Sequence, residues 1–256
     1  MKINRWSFVF ILFSFVLIYS GCSNKQKAIK QSQDTRRVAE AYMSKGDYSG
    51  ALKYLLQAEA TYGDDYLLHD DLGKVYVAKS KFDTAIKHFK KALELEPEFA
   101  PGKNNLGSAY LLDEKWDEAI AIFKELNENL LYATPHYPMY NLGWAYYNKH
   151  DYKTAIEYFN KALKIQHGFV MALRGLGLSY QKMGKHDLAI QYFEKATDKS
   201  PPFPQLYFDL GQAYHANHQF EQAIEAFEEV SRIKPDSEIS DQAISEIKRI
   251  KKQSLK

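Results

Sequence analysis

A small residue that recurs at nearly constant spacing is the feature that most constrains how this chain can fold. An alanine returns at intervals of 34, 34, 36, 34 and 34 residues, at Ala51, Ala85, Ala119, Ala155, Ala189 and Ala223. Each alanine follows a tyrosine by 9 residues and another small residue, glycine or alanine, by 12 residues. Leucine or phenylalanine stands 4 residues after each alanine. Such self-similarity predicts an array of one structural repeat.

The apolar residues within each repeat predict two helices joined by a polar turn. In the fourth repeat, Gly143 and Tyr146 fall on the first helix, and Ala155 and Phe159 fall on the second. Glycine and alanine allow the two helices to approach closely, because they carry little or no side chain into the crossing. One such pair cannot bury its apolar face alone, so neighbouring repeats must stack. The sequence therefore predicts an all-α solenoid.

The motifs L-G-x-x-Y and A-x-x-x-F, with a closing proline at Pro97, Pro201 or Pro235, resemble those of the tetratricopeptide repeat. The resemblance implies a superhelical solenoid of six helix–turn–helix repeats, at residues 32–65, 66–99, 100–133, 136–169, 170–203 and 204–237. Thr134 and Pro135 are two inserted residues between the third and fourth repeats. The amphipathic stretch 238–256 predicts a capping helix and tail.

The first 21 residues have the layout of a secretory signal peptide. Lys2 and Arg5 precede an apolar run from Trp6 to Ile18. That run is short for a helix that must cross a bilayer. We therefore expect residues 1–21 to be an export signal, removed from the mature protein.

The end of this segment resembles the lipobox of bacterial lipoproteins, since Ser20-Gly21 stands directly before Cys22. The resemblance implies that Cys22 is lipidated and becomes the mature N-terminus. Ser23 follows the cysteine where aspartate would favour inner-membrane retention, which implies an outer-membrane anchor facing the periplasm. The polar residues 22–31 predict a tether carrying that lipid. An uncleaved anchor with an incidental cysteine is the alternative.

The charge balance and the absence of catalytic motifs exclude several functions. Of 34 basic and 32 acidic residues, Lys2 and Arg5 lie in the predicted signal, so the mature chain carries 32 of each. This balance argues against a nucleic-acid partner, which requires excess positive charge. No phosphate-binding loop, nucleophile elbow or zinc-protease motif is present. His215 and His218 fall at a turn without a third ligand. We predict a non-catalytic protein without cofactor, metal or small-molecule substrate.

Function is therefore expected at a surface, and helical geometry assigns one side of each first helix to the inner groove of the solenoid. In the fourth repeat that side is aromatic, and tyrosine and tryptophan are the residues that dominate binding interfaces. Asparagines at the groove's edge can donate to and accept from a peptide main chain. The predicted protein-binding residues are Asn104, Asn105, Tyr137, Tyr140, Asn141, Trp144, Tyr147 and Phe208. The alternative is that Trp144 and Tyr147 only pack against adjacent repeats.

The lengthened junction LNENLLYATPHYPMYNLGWAYYNKHDY, in a chain of six repeats, resembles the outer-membrane pilotins of type IV pili, the PilF, PilW and Tgl type. The resemblance implies a lipoprotein that binds a secretin subunit and assists assembly of the secretin, the pore through which the pilus leaves the cell. A periplasm-facing adaptor for another envelope machine, in outer-membrane protein assembly or cell-wall hydrolase recruitment, is the alternative. Secretin multimer levels in a deletion strain distinguish the two.

Overall fold

The computed structural model describes the backbone of residues 5–128, 136–200 and 202–253, and side chains from residue 24 onward within those ranges. The side chain of Cys22, the Thr134–Pro135 insertion and Pro201 lie outside this description. Thirteen helices and no strand occupy the described residues, which confirms the all-α fold class. None of these helices combines the length and apolarity needed to cross a bilayer.

The helices follow one another with short turns between them. They are α1 Arg5–Ser44, α2 Tyr48–Thr61, α3 Tyr66–Ala78, α4 Phe82–Leu95, α5 Ala100–Leu112, α6 Trp116–Glu128, α7 His136–Asn148, α8 Tyr152–Ile165, α9 Val170–Lys182, α10 His186–Lys199, α11 Pro204–Ala216, α12 Phe220–Ile233 and α13 Glu238–Gln253. Asp47, Asp65 and Asp151 cap α2, α3 and α8 by accepting backbone N–H bonds, which satisfies donors that the first turn leaves unpaired.

The helices form two compact units, Met1–Asp113 and Glu114–Lys256, which we call the first and second units. In the first unit α1 packs on α2 and α3 on α4, and α4 continues onto α5. In the second unit the pairs are α7 with α8, α9 with α10 and α11 with α12. Helix α13 packs on α12 and buries Ala243 and Ile250, as a terminal cap must. The boundary between the units falls between α5 and α6, inside the predicted third repeat.

A phenylalanine fills the helix crossings at Gly73, Gly143, Gly177 and Gly211. A Cβ atom added to Gly73 would stand 2.4 Å from the Phe89 ring, and one added to Gly143 would stand 2.5 Å from the Phe159 ring. Both rings are almost completely buried. A side chain larger than hydrogen therefore cannot enter these crossings without displacing the ring. The glycine of the first helix therefore lies directly against the phenylalanine of the second helix.

Helix α1 continues through the segment that the sequence predicted to be a tether. Residues 24–31 are helical, and Ala28 and Ile29 are half-buried. One turn later, buried Ser32 donates a hydrogen bond of 2.9 Å from its Oγ to the carbonyl oxygen of Ala58 in α2. Sequence periodicity missed this face because Ala28 and Ser32 are small and leave Ile29 as an isolated apolar residue. The helix that opens the first repeat therefore starts before Ser32.

Candidate functional site

Four aromatic side chains line one face of α7, as the sequence predicted, and we call Tyr137, Tyr140, Trp144 and Tyr147 the aromatic stripe. The Tyr140 and Trp144 rings meet edge to face at 6.2 Å, and the Trp144 and Tyr147 rings meet edge to face at 5.1 Å. Phe169, just before α9, extends the stripe with edge contacts to Tyr137 at 5.7 Å and Tyr140 at 5.3 Å. Edge-to-face pairs stabilise such an arrangement by roughly 0.5–1.5 kcal/mol each.

The stripe is not equally accessible along its length. Tyr137 is 44% exposed, whereas Tyr140, Trp144 and Tyr147 are half-buried. Tyr140 and Trp144 rest on the buried Phe159 ring, at centroid distances of 6.0 and 5.8 Å. Their inner faces therefore belong to the core of their own repeat. The alternative that these aromatic residues only pack within the protein therefore holds for their inner faces. The ring of Tyr137, at the start of the stripe, is open to solvent.

Burial also fixes the protonation of the stripe's hydroxyl groups. It raises the pKa of Tyr140, because the phenolate loses hydration there, and it raises the pKa of Tyr147 for the same reason. The positive charge of Arg174 in α9 acts on both hydroxyl groups in the opposite direction, with a smaller effect. Both tyrosines therefore remain neutral hydrogen-bonding groups, close enough to Arg174 to feel its charge.

A second pattern, which the sequence analysis did not find, connects first helices of adjacent repeats. A polar side chain at the fifth position of one repeat pairs with one at the sixth position of the next, 35 residues later. We call these pairs the inter-repeat rungs. They are Arg36 Nη1 to Asp71 Oδ2 at 3.0 Å, Asn105 Nδ2 to Asp70 Oδ1 at 2.8 Å, and Arg174 Nε to Asp209 Oδ2 at 2.6 Å. The signal in the sequence that could have revealed the rungs is the presence of complementary polar residues 35 positions apart.

One rung gives Asn105 a contact within the protein, and its predicted contact with a partner stays a prediction. Its side-chain nitrogen donates to Asp70, which is 1% exposed and also pairs with Lys74 at 2.6 Å. One N–H of that amide group therefore satisfies a buried carboxylate between repeats. Asn104 and Asn141 also interact with neighbouring groups in the structure. Their predicted contact with a partner stays a prediction.

Phe208 is a clear correction, because it lies in the core of the second unit. Only 9% of it is exposed, and its ring meets Phe227 at 5.4 Å in an edge-to-face contact. Phe208 occupies the same position in its repeat as Tyr140, whose ring covers Phe159 in the same way. An aromatic residue at this position turns towards the phenylalanine of its own repeat. The helical wheel assigned Phe208 to the groove because a wheel gives the direction of a side chain from the helix axis and not its depth in the protein.

The predicted residues are divided between the two units. Asn104 and Asn105 belong to α5 in the first unit, where Asn105 and the half-exposed Leu112 help to line a shallow pocket of about 150 Å³. The aromatic stripe, Asn141 and Phe208 belong to the second unit. In the second unit the structure brings together the stripe, Phe169 and the Arg174–Asp209 rung. Burial raises the pKa of Asp209, although Arg174 and Gln205 act against this.

Comparison with known proteins identifies the repeats. Four tetratricopeptide repeat family models match the chain, over residues 73–113, 104–128, 137–169 and 180–247. No protein of curated function matches the sequence significantly.

Solved structures with the same fold cover most of the chain. The crystal structure of PilW, a widely conserved type IV pilus biogenesis factor, has a TM-score of 0.75 and 21% sequence identity, and the match covers 83% of this chain and 98% of that one. The PilF structure from Pseudomonas aeruginosa has a TM-score of 0.67 at 18% identity, with 85% and 99% covered. The MamA structure has a TM-score of 0.55 at 28% identity, with 63% and 94% covered.

Tetratricopeptide repeats generally mediate protein–protein interaction, and proteins built from them are generally non-catalytic scaffolds. An exposed aromatic surface on a repeat array is consistent with that use. The family matches, the thirteen helices and the glycine–phenylalanine crossings lead to one conclusion. The chain belongs to the tetratricopeptide repeat proteins.

Proposed function

We propose that this protein is a lipid-anchored, non-catalytic scaffold of the outer membrane that assists assembly of a type IV pilus secretin. The observation that carries the proposal is the match to PilW, a type IV pilus biogenesis factor, over 98% of that chain. PilF matches over 99% of its length, which supports the same assignment. The lengthened junction between the third and fourth repeats supports the same assignment.

The partner surface that we propose is the aromatic stripe at its Tyr137 end. Tyr137 is 44% exposed, and its ring contacts Phe169, so two aromatic side chains form one apolar surface. Tyrosine and tryptophan provide large contact areas at small entropic cost, and interfaces place most of their binding energy on such residues. Arg174 lies close enough to influence the stripe's hydroxyl groups. The expected ligand is an apolar segment of a secretin subunit that also carries an acidic or polar group.

The anchor in this proposal is the lipid on Cys22. Helix α1 begins on the N-terminal side of Cys22 and reaches Ser44, so the first repeat follows the anchor without a long linker. Lipidation at this position would hold the repeats beside the membrane in which the secretin must assemble. The proposed location is the periplasmic face of the outer membrane.

The test is the state of the secretin in a strain that lacks this protein. We expect secretin subunits to persist while multimers in the outer membrane fall strongly, and we expect the wild-type gene to restore them. Multimers are measured by immunoblot of membrane fractions run without heat dissociation. A porin from the same fractions controls for general loss of outer-membrane assembly.

Complementation with Cys22→Ala separates the anchor from the fold. The repeats of this variant should fold normally, because Cys22 precedes them, but the protein should leave the outer-membrane fraction and restore few multimers. Retention of the variant in that fraction with full secretin assembly would refute the lipoprotein assignment. Unchanged amounts of secretin multimer in the deletion strain would refute the pilotin role. If that strain instead lost porin from the outer membrane, or mislocalised a cell-wall hydrolase, the result would support the adaptor alternative.

A further inference from the structure

Three side chains with metal-binding atoms converge in the first unit, on three successive helices. They are Glu59 of α2, His69 of α3 and His88 of α4, and their ligand atoms all lie within 4.8 Å of one another. His69 Nδ1 lies 3.1 Å from His88 Nδ1 and 3.8 Å from Glu59 Oε1. The cluster joins the predicted first repeat, which contributes the carboxylate, to the second repeat, which contributes both imidazoles.

The hydrogen bonds of His69 define which nitrogen is available to a ligand. His69 Nε2 lies 2.9 Å from the carbonyl oxygen of Gly63, and a carbonyl can only accept, so Nε2 carries the proton. In the neutral ring Nδ1 then carries a lone pair and faces His88. Metal-binding histidines almost always donate their second ring N–H to a carbonyl or carboxylate, which fixes the tautomer and the ring orientation. The carbonyl of Gly63 therefore holds His69, which is 5% exposed, in the tautomer whose Nδ1 lone pair can bind a metal ion.

The second imidazole is also held in place. The His88 ring stacks on Tyr76 with an interplanar angle of 12° and a centroid distance of 5.3 Å. In the structure its Nδ1 faces the His69 lone pair, so it serves as the hydrogen-bond donor there. Transfer of that proton to Nε2 through solvent would expose a second lone pair to the same point. The carboxylate of Glu59 is one-third exposed, which leaves a path for an ion to enter.

The distances fit an ion coordinated by two imidazoles and a carboxylate. Zinc binds histidine nitrogen at about 2.0–2.1 Å in tetrahedral sites, which places two ligand atoms about 3.3 Å apart. The two Nδ1 atoms at 3.1 Å are close to that separation. Glu59 Oε1 lies 3.8 Å from His69 Nδ1, within a cluster whose ligand atoms span at most 4.8 Å, so the Glu59 side chain would have to move closer to both rings. Imidazole ligands favour zinc, copper and nickel over magnesium and calcium. Three protein ligands leave the fourth position to water.

We propose that Glu59, His69 and His88 form a binding site for one divalent transition-metal ion of the zinc class. The ion would connect α2 with α3 and α4, and it would thereby clamp the first repeat to the second. The site belongs to the first unit and the aromatic stripe to the second, and the proposal does not depend on the function proposed above. The sequence motifs predicted no metal, and Glu59, His69 and His88 form no recognised ligand motif.

The test is a calorimetric titration of the purified full-length protein with zinc chloride, together with visible absorption after addition of cobalt(II). We expect one ion per chain and the intense cobalt bands of a four-coordinate nitrogen and oxygen site. Replacement of groups outside the coordination shell alone costs roughly 10–100-fold in metal affinity, so His88→Gln and Glu59→Gln should each weaken binding at least about tenfold. His167→Gln, at an exposed histidine outside the cluster, is the matched control and should bind normally.

Melting curves with and without zinc provide an independent readout, because an ion that binds only the folded chain raises its melting temperature. Zinc should raise the melting temperature of wild type and His167→Gln, and EDTA should reverse this. If His88→Gln does not fold, Glu59→Gln decides, since its side chain is partly exposed and its loss removes no core packing. Absence of zinc binding in wild type, or binding by Glu59→Gln and His88→Gln equal to wild type, would overturn the proposal and leave a hydrogen-bonded histidine pair.

Discussion

At the scale of single residues, the space beside the crossing glycines Gly73, Gly143, Gly177 and Gly211 is too small for a Cβ atom. A Cβ atom on Gly177 would stand 2.6 Å from the Phe193 ring, which is completely buried. Protein interiors are packed as densely as organic crystals, so the ring has no empty volume to enter. The glycine is therefore required by packing at this position and not by backbone conformation.

Gly177→Leu should destabilise the protein by at least about 1–3 kcal/mol, the usual cost of overpacking a filled core. Urea unfolding followed by circular dichroism measures the change. Lys182→Leu, at an exposed position of the same helix, should change the free energy of unfolding by less than about 0.5 kcal/mol. Equal effects of the two substitutions would show that Gly177 is not at a close crossing.

The Arg174–Asp209 rung carries a second prediction at this scale. The Asp209 side chain is 5% exposed, so Arg174→Ala would leave a buried carboxylate without its cation. Breaking a buried pair in this way costs about 3 kcal/mol or more at neutral pH. Arg37→Ala removes an exposed pair with Asp34 and is the matched control, with an expected cost below about 1 kcal/mol.

The pH dependence gives the sign of the effect. Burial raises the pKa of Asp209, and loss of Arg174 removes a charge that lowers it. A carboxyl group whose folded-state pKa is raised contributes stability below its unfolded pKa of about 4, and that stability is lost as the pH rises through the folded pKa. The difference in unfolding free energy between Arg174→Ala and wild type should therefore shrink in acid. A difference independent of pH would mean that Asp209 is not the group left unpaired.

At the scale of elements, α7 combines two tasks on one face. The inner parts of Tyr140 and Trp144 cover Phe159, while Tyr137 at the start of the helix is the most exposed ring of the stripe. Residues that contribute mainly to packing and residues that contribute mainly to binding should therefore lie at different places along α7. The end near Tyr137 can lose its ring with little effect on the fold, and the middle cannot.

Tyr137→Ala should weaken binding of the secretin subunit by roughly 1–2 kcal/mol, within the range of aromatic interface residues, and should leave the melting temperature nearly unchanged. Tyr140→Ala plus Trp144→Ala should weaken binding by about 2 kcal/mol or more but should also lower stability. Surface plasmon resonance measures binding, and thermal denaturation of the same samples measures the fold. Tyr48→Ala, at an exposed tyrosine in the first unit, is the control. Normal binding by a folded Tyr137→Ala variant together with normal binding by the double variant would exclude the stripe.

Some of these elements were predictable from sequence, and the reason lies in their spacing. The crossing of Gly143 with Phe159 follows from the period, because glycine and phenylalanine recur at these two positions in five of the six repeats. The depth of Phe208 does not follow from a helical wheel, since direction alone does not show how far a side chain reaches into a crossing. His69 and His88 meet because α3 and α4 pack side by side, at a register that the sequence does not display.

At the scale of the whole molecule, the regular sequence period does not show that the chain divides into two compact units. The boundary at 113–114 separates α5 from α6, two helices that the sequence groups in one repeat. Helix α1 likewise begins before the first predicted repeat. Family motifs define where repeats start and end in sequence, whereas compactness depends on how many side chains each helix shares with its neighbours.

The inter-repeat rungs have a consequence for how such a gene can change. Loss of residues 66–99 would place Arg36 opposite Asn105, and the cation would face a neutral amide in place of the Asp71 carboxylate. Loss of residues 170–203 would place Tyr140 opposite Asp209. Repeats that look interchangeable by motif are thus matched to their neighbours by polar side chains at these junctions, and deletion or reordering of the repeats that carry a rung would break it.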